Sequence, residues 1–89
     1  MNISPESLQA FAQAANCGSL SAAARRLGKS QSTISEAVAR LEIDLGVALF
    51  DRSARAAVLN DHGREMLPQA EELVAMAERM ASTAGAGHV

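Results

Sequence analysis

The stretch from Gly18 to Gly46, GSLSAAARRLGKSQSTISEAVARLEIDLG, limits what this chain can fold into more than any other part. Ser19 stands where an N-cap belongs, ahead of Leu20-Ser21-Ala22-Ala23-Ala24-Arg25-Arg26-Leu27. Its hydroxyl can accept from the free backbone N–H groups of a first helical turn. Gly28 follows, where a helix ending in a left-handed residue favours glycine. Lys29-Ser30 completes a turn, and a second helix starts near Gln31, capped by Ser30 or Ser32, and runs to about Leu45 before Gly46 stops it. A helix of about eight residues, a glycine-bearing turn and a longer helix have the spacing of a helix-turn-helix.

The second helix has two faces. Ile34, Val38, Leu41 and Leu45 recur at steps of four, three and four, so they share one stripe that must be buried. Ser32, Ser35, Glu36 and Ala39 point elsewhere and are small or polar. A DNA major groove admits a helix whose facing side chains are short and can read base edges. Taken alone, this helix is equally an ordinary amphipathic helix with a solvated outer face.

The first segment carries its own start signals. Ser4 caps, Pro5 takes the first helical position, where its missing N–H costs nothing, and Glu6 lies near the positive helix end. Leu8, Phe11, Ala12 and Ala15 form one face, and Asn16-Cys17-Gly18 ends the helix. The chain has 89 residues, enough for one small domain with a modest core that gains from a partner subunit. Nineteen are alanine and two are aromatic, Phe11 and Phe50, a composition for close helix packing rather than a large sheet.

After Gly46 the pattern changes. Val47-Ala48-Leu49-Phe50-Asp51-Arg52 can form a short strand, Ser53-Ala54-Arg55-Ala56 a turn, and Ala57-Val58-Leu59 a returning strand. Such a wing places Arg52 and Arg55 to reach phosphates or a narrow minor groove; the alternative is a plain hairpin with solvated arginines. Asn60 is the expected N-cap of a last helix running to about Ser82, with Asp61 in its first turn. Met66, Ala70, Leu73, Ala77 and Met80, flanked by Leu67, Val74 and Ala81, make a stripe too wide for so small a domain to cover, so a helix of a second chain is the expected cover. Pro68 inside this pattern predicts a bend or soft spot. Residues 83–89 are expected to be a flexible tail.

The net charge of −2 argues at first against nucleic acid, but its distribution does not. Residues 25–55 hold six basic against four acidic side chains, and residues 56–89 two against five. That is the balance of a DNA-binding head on a non-binding stalk, although a mixed solvated surface could show it too.

Together these residues resemble the N-terminal DNA-binding domain of LysR-type transcriptional regulators. The resemblance rests on Leu8 and Phe11, Gly18-Ser19-Leu20 with Ala22-Ala23-Ala24 and Leu27, Ser30 to Ser35, Val38, Leu41-Glu42, and Leu45-Gly46-Val47-Ala48-Leu49-Phe50-Asp51-Arg52. Leu59, Gly63 and Leu67-Pro68 continue it, so that it covers residues from about 3 to 81. It implies a mainly α fold: a winged helix-turn-helix over 1–59, of three helices plus a short two-stranded wing, then a long linker and dimerisation helix over 60–82. Gln31, Ser32 and Thr33 match the start of the family's recognition helix, Ser35 a DNA-facing serine, and Arg52 and Arg55 the wing arginines. With Ser30, Glu36 and Arg40 on the same helix, these are the expected DNA contacts. Met66, Ala70, Leu73, Val74, Ala77 and Met80 are the expected dimerisation residues. Glu36 departs from the basic or amide residue usual in the family. It could accept from a cytosine amino group, pair with Arg40 four residues on, or lie outside the contact. Asn60 replaces the usual threonine.

The expected function is therefore sequence-specific binding of double-stranded DNA by a homodimer on a roughly palindromic site. A small-molecule effector is expected to act only through a domain that this chain does not contain. No cofactor or metal is expected: His62 and His88 are far apart, and no nucleophile–base pair, metal cluster or phosphate loop is evident. The rival is a winged helix used for protein contacts alone. No apolar run approaches a membrane span, the N-terminus does not read as a signal peptide, and the lone Cys17, read as a packing residue, fits a reducing cytoplasm.

Overall fold

In the computed structural model, which describes residues 3–86, helix α1 spans Pro5–Cys17, α2 Leu20–Leu27, α3 Gln31–Leu45 and α4 Asp61–Ala86. Local chemistry sets these boundaries. The backbone N–H groups of Ser7, Ala22 and Thr33 donate to the hydroxyls of Ser4, Ser19 and Ser30 at 3.1, 3.1 and 3.2 Å, so three serines cap the first three helices. Ser30, not Ser32, caps α3. Gly28 and Gly46 end α2 and α3 at φ 68° and 76°, left-handed backbone in which a side chain would be strained.

Helix α1 lies at the centre and packs on α2, α3 and α4. Contact on three sides explains why Ser7, Ala10, Phe11, Ala12 and Ala14 are all buried, a wider arc than the single face expected from Leu8, Phe11, Ala12 and Ala15. Ser7 settles its buried hydroxyl against that of Ser4 at 2.8 Å.

Two apolar clusters result. Ala10, Ala14, Ala23, Ala24, Ile34 and Val38 fill the space between α1, α2 and α3, where small side chains let the helices approach closely. Phe11, Leu41, Leu49 and Ala70 fill the space towards α4, with Met66 and Leu67 packed against them. Phe50 touches both clusters and meets Phe11 edge to face, the ring centroids 5.7 Å apart at 77°.

The wing differs from expectation. In place of two strands, a single antiparallel bridge joins Phe50 and Leu59, made by Asp51 N–H to the Val58 carbonyl (2.7 Å) and Asn60 N–H to the Leu49 carbonyl (3.0 Å). The neighbouring donors are used elsewhere. Leu49 N–H donates to the Glu42 carboxylate, Ala57 N–H to the Gly18 carbonyl and Val58 N–H to the Ala56 carbonyl, so no ladder can extend. The segment is a hairpin latched to α1 and α3 rather than a free-standing ribbon.

Asn60 caps α4, accepting from Gly63 N–H at 2.8 Å through its side-chain oxygen. Its amide nitrogen also donates to the Ala48 carbonyl at 2.8 Å, a second bond that a threonine could not make in the same way. α4 continues through Pro68, which lies on its exposed side, and runs past Ser82 to Ala86. The expected tail is thus helical over 83–86, and Gly87, His88 and Val89 lie outside the described residues. Among the described residues, no helix is long and apolar enough to cross a membrane.

Candidate nucleic-acid interface

Because Ile34, Val38 and Leu41 anchor α3 in the core, its other face is fixed outward. Ser30, Gln31, Ser32, Thr33, Ser35, Glu36, Ala39 and Arg40 are all exposed, with Gln31, Ser35 and Ala39 on the side of the hairpin and Arg40 on the far side, beside Ile3, Ser4 and Asp44. The first turn is held by side chains. The Ser30 hydroxyl bonds those of Thr33 (2.8 Å) and Ser32 (3.2 Å), and the Ser21 hydroxyl donates to Gln31 Oε1 at 2.7 Å. This last contact leaves the Gln31 amide nitrogen directed by α2, a constraint that the sequence alone did not suggest.

Across an open cleft from Gln31 and Ser35 stands the hairpin, with Arg52 and Arg55 on the rim. Both arginines are exposed. Arg52 donates to Glu42 Oε1 at 3.0 Å and is thereby tied to α3. Asp51 forms the turn at the tip: its carboxylate accepts from the Ser53 hydroxyl (2.6 Å) and the Ser53 N–H (2.9 Å), and these two bonds hold its carboxyl below the ordinary value of 3.8. Among the described residues the ion pairs are Arg52–Glu42 and Arg64–Asp61, so Glu36 does not pair with Arg40. His62 is exposed, and Cys17 is a half-buried free thiol beside Gln13.

The stripe on α4 is divided. Ala70 is 4% exposed and Met66 is half-buried, both packed within this subunit against the cluster around Phe11 and Leu41. Within the subunit α1 thus packs on the first half of α4. Beyond it, Leu73 (54% exposed), Met76 (52%) and Met80 (68%) stand open, with Ala77 exposed and Val74 half-buried beside them. Met76 was missed in the sequence. Leu73, Met76 and Met80 are spaced three and four apart, but the stripe phased on Met66 and Ala70 passed it over.

A helix-turn-helix extended by a hairpin and then by one long helix defines a class of bacterial regulator domain. The chain belongs to that class's lysR family: the family of bacterial regulatory helix-turn-helix proteins, lysR family, matches residues 5–64. It is 42% identical over 77 residues to the uncharacterized HTH-type transcriptional regulator YeiE of Escherichia coli K12, covering 86% of this chain and 26% of that protein. Its fold matches a Corynebacterium glutamicum OxyR C206 mutant with a TM-score of 0.93 at 31% identity, over 100% of this chain and 29% of that one. It matches the CbnR DNA-binding domain, solved as a complex with DNA, with a TM-score of 0.83 at 34% identity, over 97% and 99% of the two chains. The chain thus spans between 22% and 42% of the length of these and the other curated relatives it matches.

Proposed function

We propose that this chain is the DNA-binding unit of a LysR-type transcriptional regulator and binds double-stranded DNA sequence-specifically as a homodimer. The observation that carries the reading is the outward part of α3: exposed polar side chains at Ser30, Gln31, Ser32, Thr33 and Ser35, of which Gln31 and Ser35 line an open cleft with Arg52 and Arg55 of the hairpin. A helix so faced enters the major groove and reads base edges, while the hairpin arginines take phosphates or the adjacent minor groove. The likeness to the CbnR DNA-binding domain, solved with DNA, supports this reading.

The second copy covers Leu73, Met76 and Met80, the apolar part of α4 left open by α1. Two-fold symmetry then sets the recognition helices about one DNA turn, or a multiple of it, apart on a roughly palindromic site. The protein works in the cytoplasm, where its DNA is, and any small-molecule effector acts through residues outside this chain. The test is selection of bound sites from random duplex DNA, followed by titration of the selected duplex over a salt series. A recovered motif and an affinity that falls steeply with salt are expected. Recovery of no motif, with no salt-dependent binding, would leave a winged helix that serves protein contacts alone.

A further inference from the structure

Glu42 lies on α3 but not in its outward face, and its side chain ties the hairpin to this helix twice. Its Oε2 accepts from Leu49 N–H at 2.7 Å, and its Oε1 accepts from Arg52 Nη2 at 3.0 Å. Its backbone carbonyl accepts from Gly46 N–H at 2.8 Å as the chain leaves the helix. The Glu42 side chain is 11% exposed, while that of Arg52 is 77% exposed. The carboxylate is therefore held in place by the folded chain, and the guanidinium is the free end of the pair.

Two consequences follow for an approaching duplex. A guanidinium has five N–H donors, and the contact with Glu42 engages Nη2 and draws the head towards α3, leaving other donors free beside the cleft that Arg52 lines with Gln31 and Ser35. The adjacent carboxylate also offsets the arginine's charge, so Arg52 attracts a phosphate less strongly than Arg55, which has no carboxylate partner among the described residues. The gain from Arg52 is then largest when the phosphate meets the guanidinium in its held orientation, which requires α3 to be seated correctly in the groove.

We infer that Glu42 is a positioning residue for DNA binding: acting through Arg52, it lowers sequence-blind affinity and raises discrimination. The inference rests on the proposed function. Glu42→Gln tests it, because the amide oxygen can still accept from Leu49 N–H while the charge is lost. In anisotropy titrations over a salt series, this variant should bind an unrelated duplex roughly fivefold more tightly, the upper end for an exposed ion pair. Its salt slope on that duplex should steepen by about one phosphate contact. The ratio of selected-site to unrelated affinity should fall, with thermal unfolding little changed. In an Arg52→Ala background the same substitution should change neither ratio nor slope. An unchanged ratio and slope in Glu42→Gln, or an equal change without Arg52, overturns the positioning role while leaving the DNA reading intact. Absence of salt-dependent binding by the native chain overturns both. Should Glu42→Gln unfold, Arg52→Lys keeps the charge and loses the planar fork; it should lower the ratio, and an unchanged ratio again overturns the inference.

Discussion

Gly63 of α4 and Leu49 of the hairpin are packed backbone against backbone. A Cβ placed on Gly63 would collide with the Leu49 carbonyl oxygen and lie 2.7 Å from Leu59 Cδ2. That carbonyl is itself fixed as the acceptor for Asn60 N–H, at 3.0 Å, so it cannot swing aside. Gly63→Ala should therefore destabilise the domain by about 1–3 kcal/mol, the range for overpacking in a tight site. Urea unfolding measures this, and a midpoint equal to that of the native chain would mean that the junction yields easily.

The divided stripe on α4 predicts two different outcomes for like substitutions. Leu73→Glu and Met76→Glu place charge where only a second copy would bury it, so both should sediment as folded monomers with much weaker DNA binding. Ala70→Glu places the charge inside the subunit and should instead lower the unfolding temperature. Dimers that persist in both of the first variants would show that another surface holds the subunits together.

Arg55 has no carboxylate partner among the described residues, so its whole charge is available to phosphates. Arg55→Ala should weaken binding by a similar factor on every duplex and reduce the salt slope by about 0.9. An unchanged slope would remove Arg55 from the interface.

Glu36 is exposed on α3 and unpaired with Arg40, so in the proposed complex its carboxylate is open to a base edge, to a repelling phosphate or to solvent outside the contact. Glu36→Gln should tighten binding to unrelated DNA and relax the choice at one base pair by about 1–3 kcal/mol where the contact is direct. Site selection with this variant decides the matter: an identical motif would mean that Glu36 reads nothing.

The hairpin tip should loosen in acid. Bonds from the Ser53 hydroxyl and then the Ser53 N–H favour the ionised Asp51, so its folded pKa lies below the ordinary 3.8. Their contribution is complete above that value and is lost as pH falls through the lower, folded one. An NMR titration of the Ser53 amide should show a midpoint below 3.8, moving up towards it in Ser53→Ala. A midpoint at or above 3.8 in the native chain would rule out this turn in solution.

What could be read in the sequence was what neighbouring residues decide. Ser4, Ser19 and Ser30 cap because a hydroxyl at that position meets free N–H groups three residues on, and Ile34, Val38 and Leu41 are buried because their spacing allows one inward face. What could not be read depends on partners distant in the chain. The strands of the wing shrink to one bridge because Glu42 and Gly18 take the donors of Leu49 and Ala57. Met66 and Ala70 turn inward because Phe11 and Leu41 are there to receive them, which no periodicity within α4 reveals. The polar face of α3 was legible, but the Ser21 contact that directs Gln31 and the Glu42 contact that holds Arg52 were not.

The open half of α4 bears on the native state itself. Among the described residues, the helix from Glu71 onward has one side-chain bond to the body of the domain, from Asn16 Nδ2 to Glu71 Oε2 at 3.2 Å, and Leu73, Met76 and Met80 face water. A helical segment of some 15 residues without a packed face is marginal in water. In the proposed dimer its order would come from the second copy, and the helix content would depend on concentration. Dilution of such a dimer would melt the stalk before it disturbed the head.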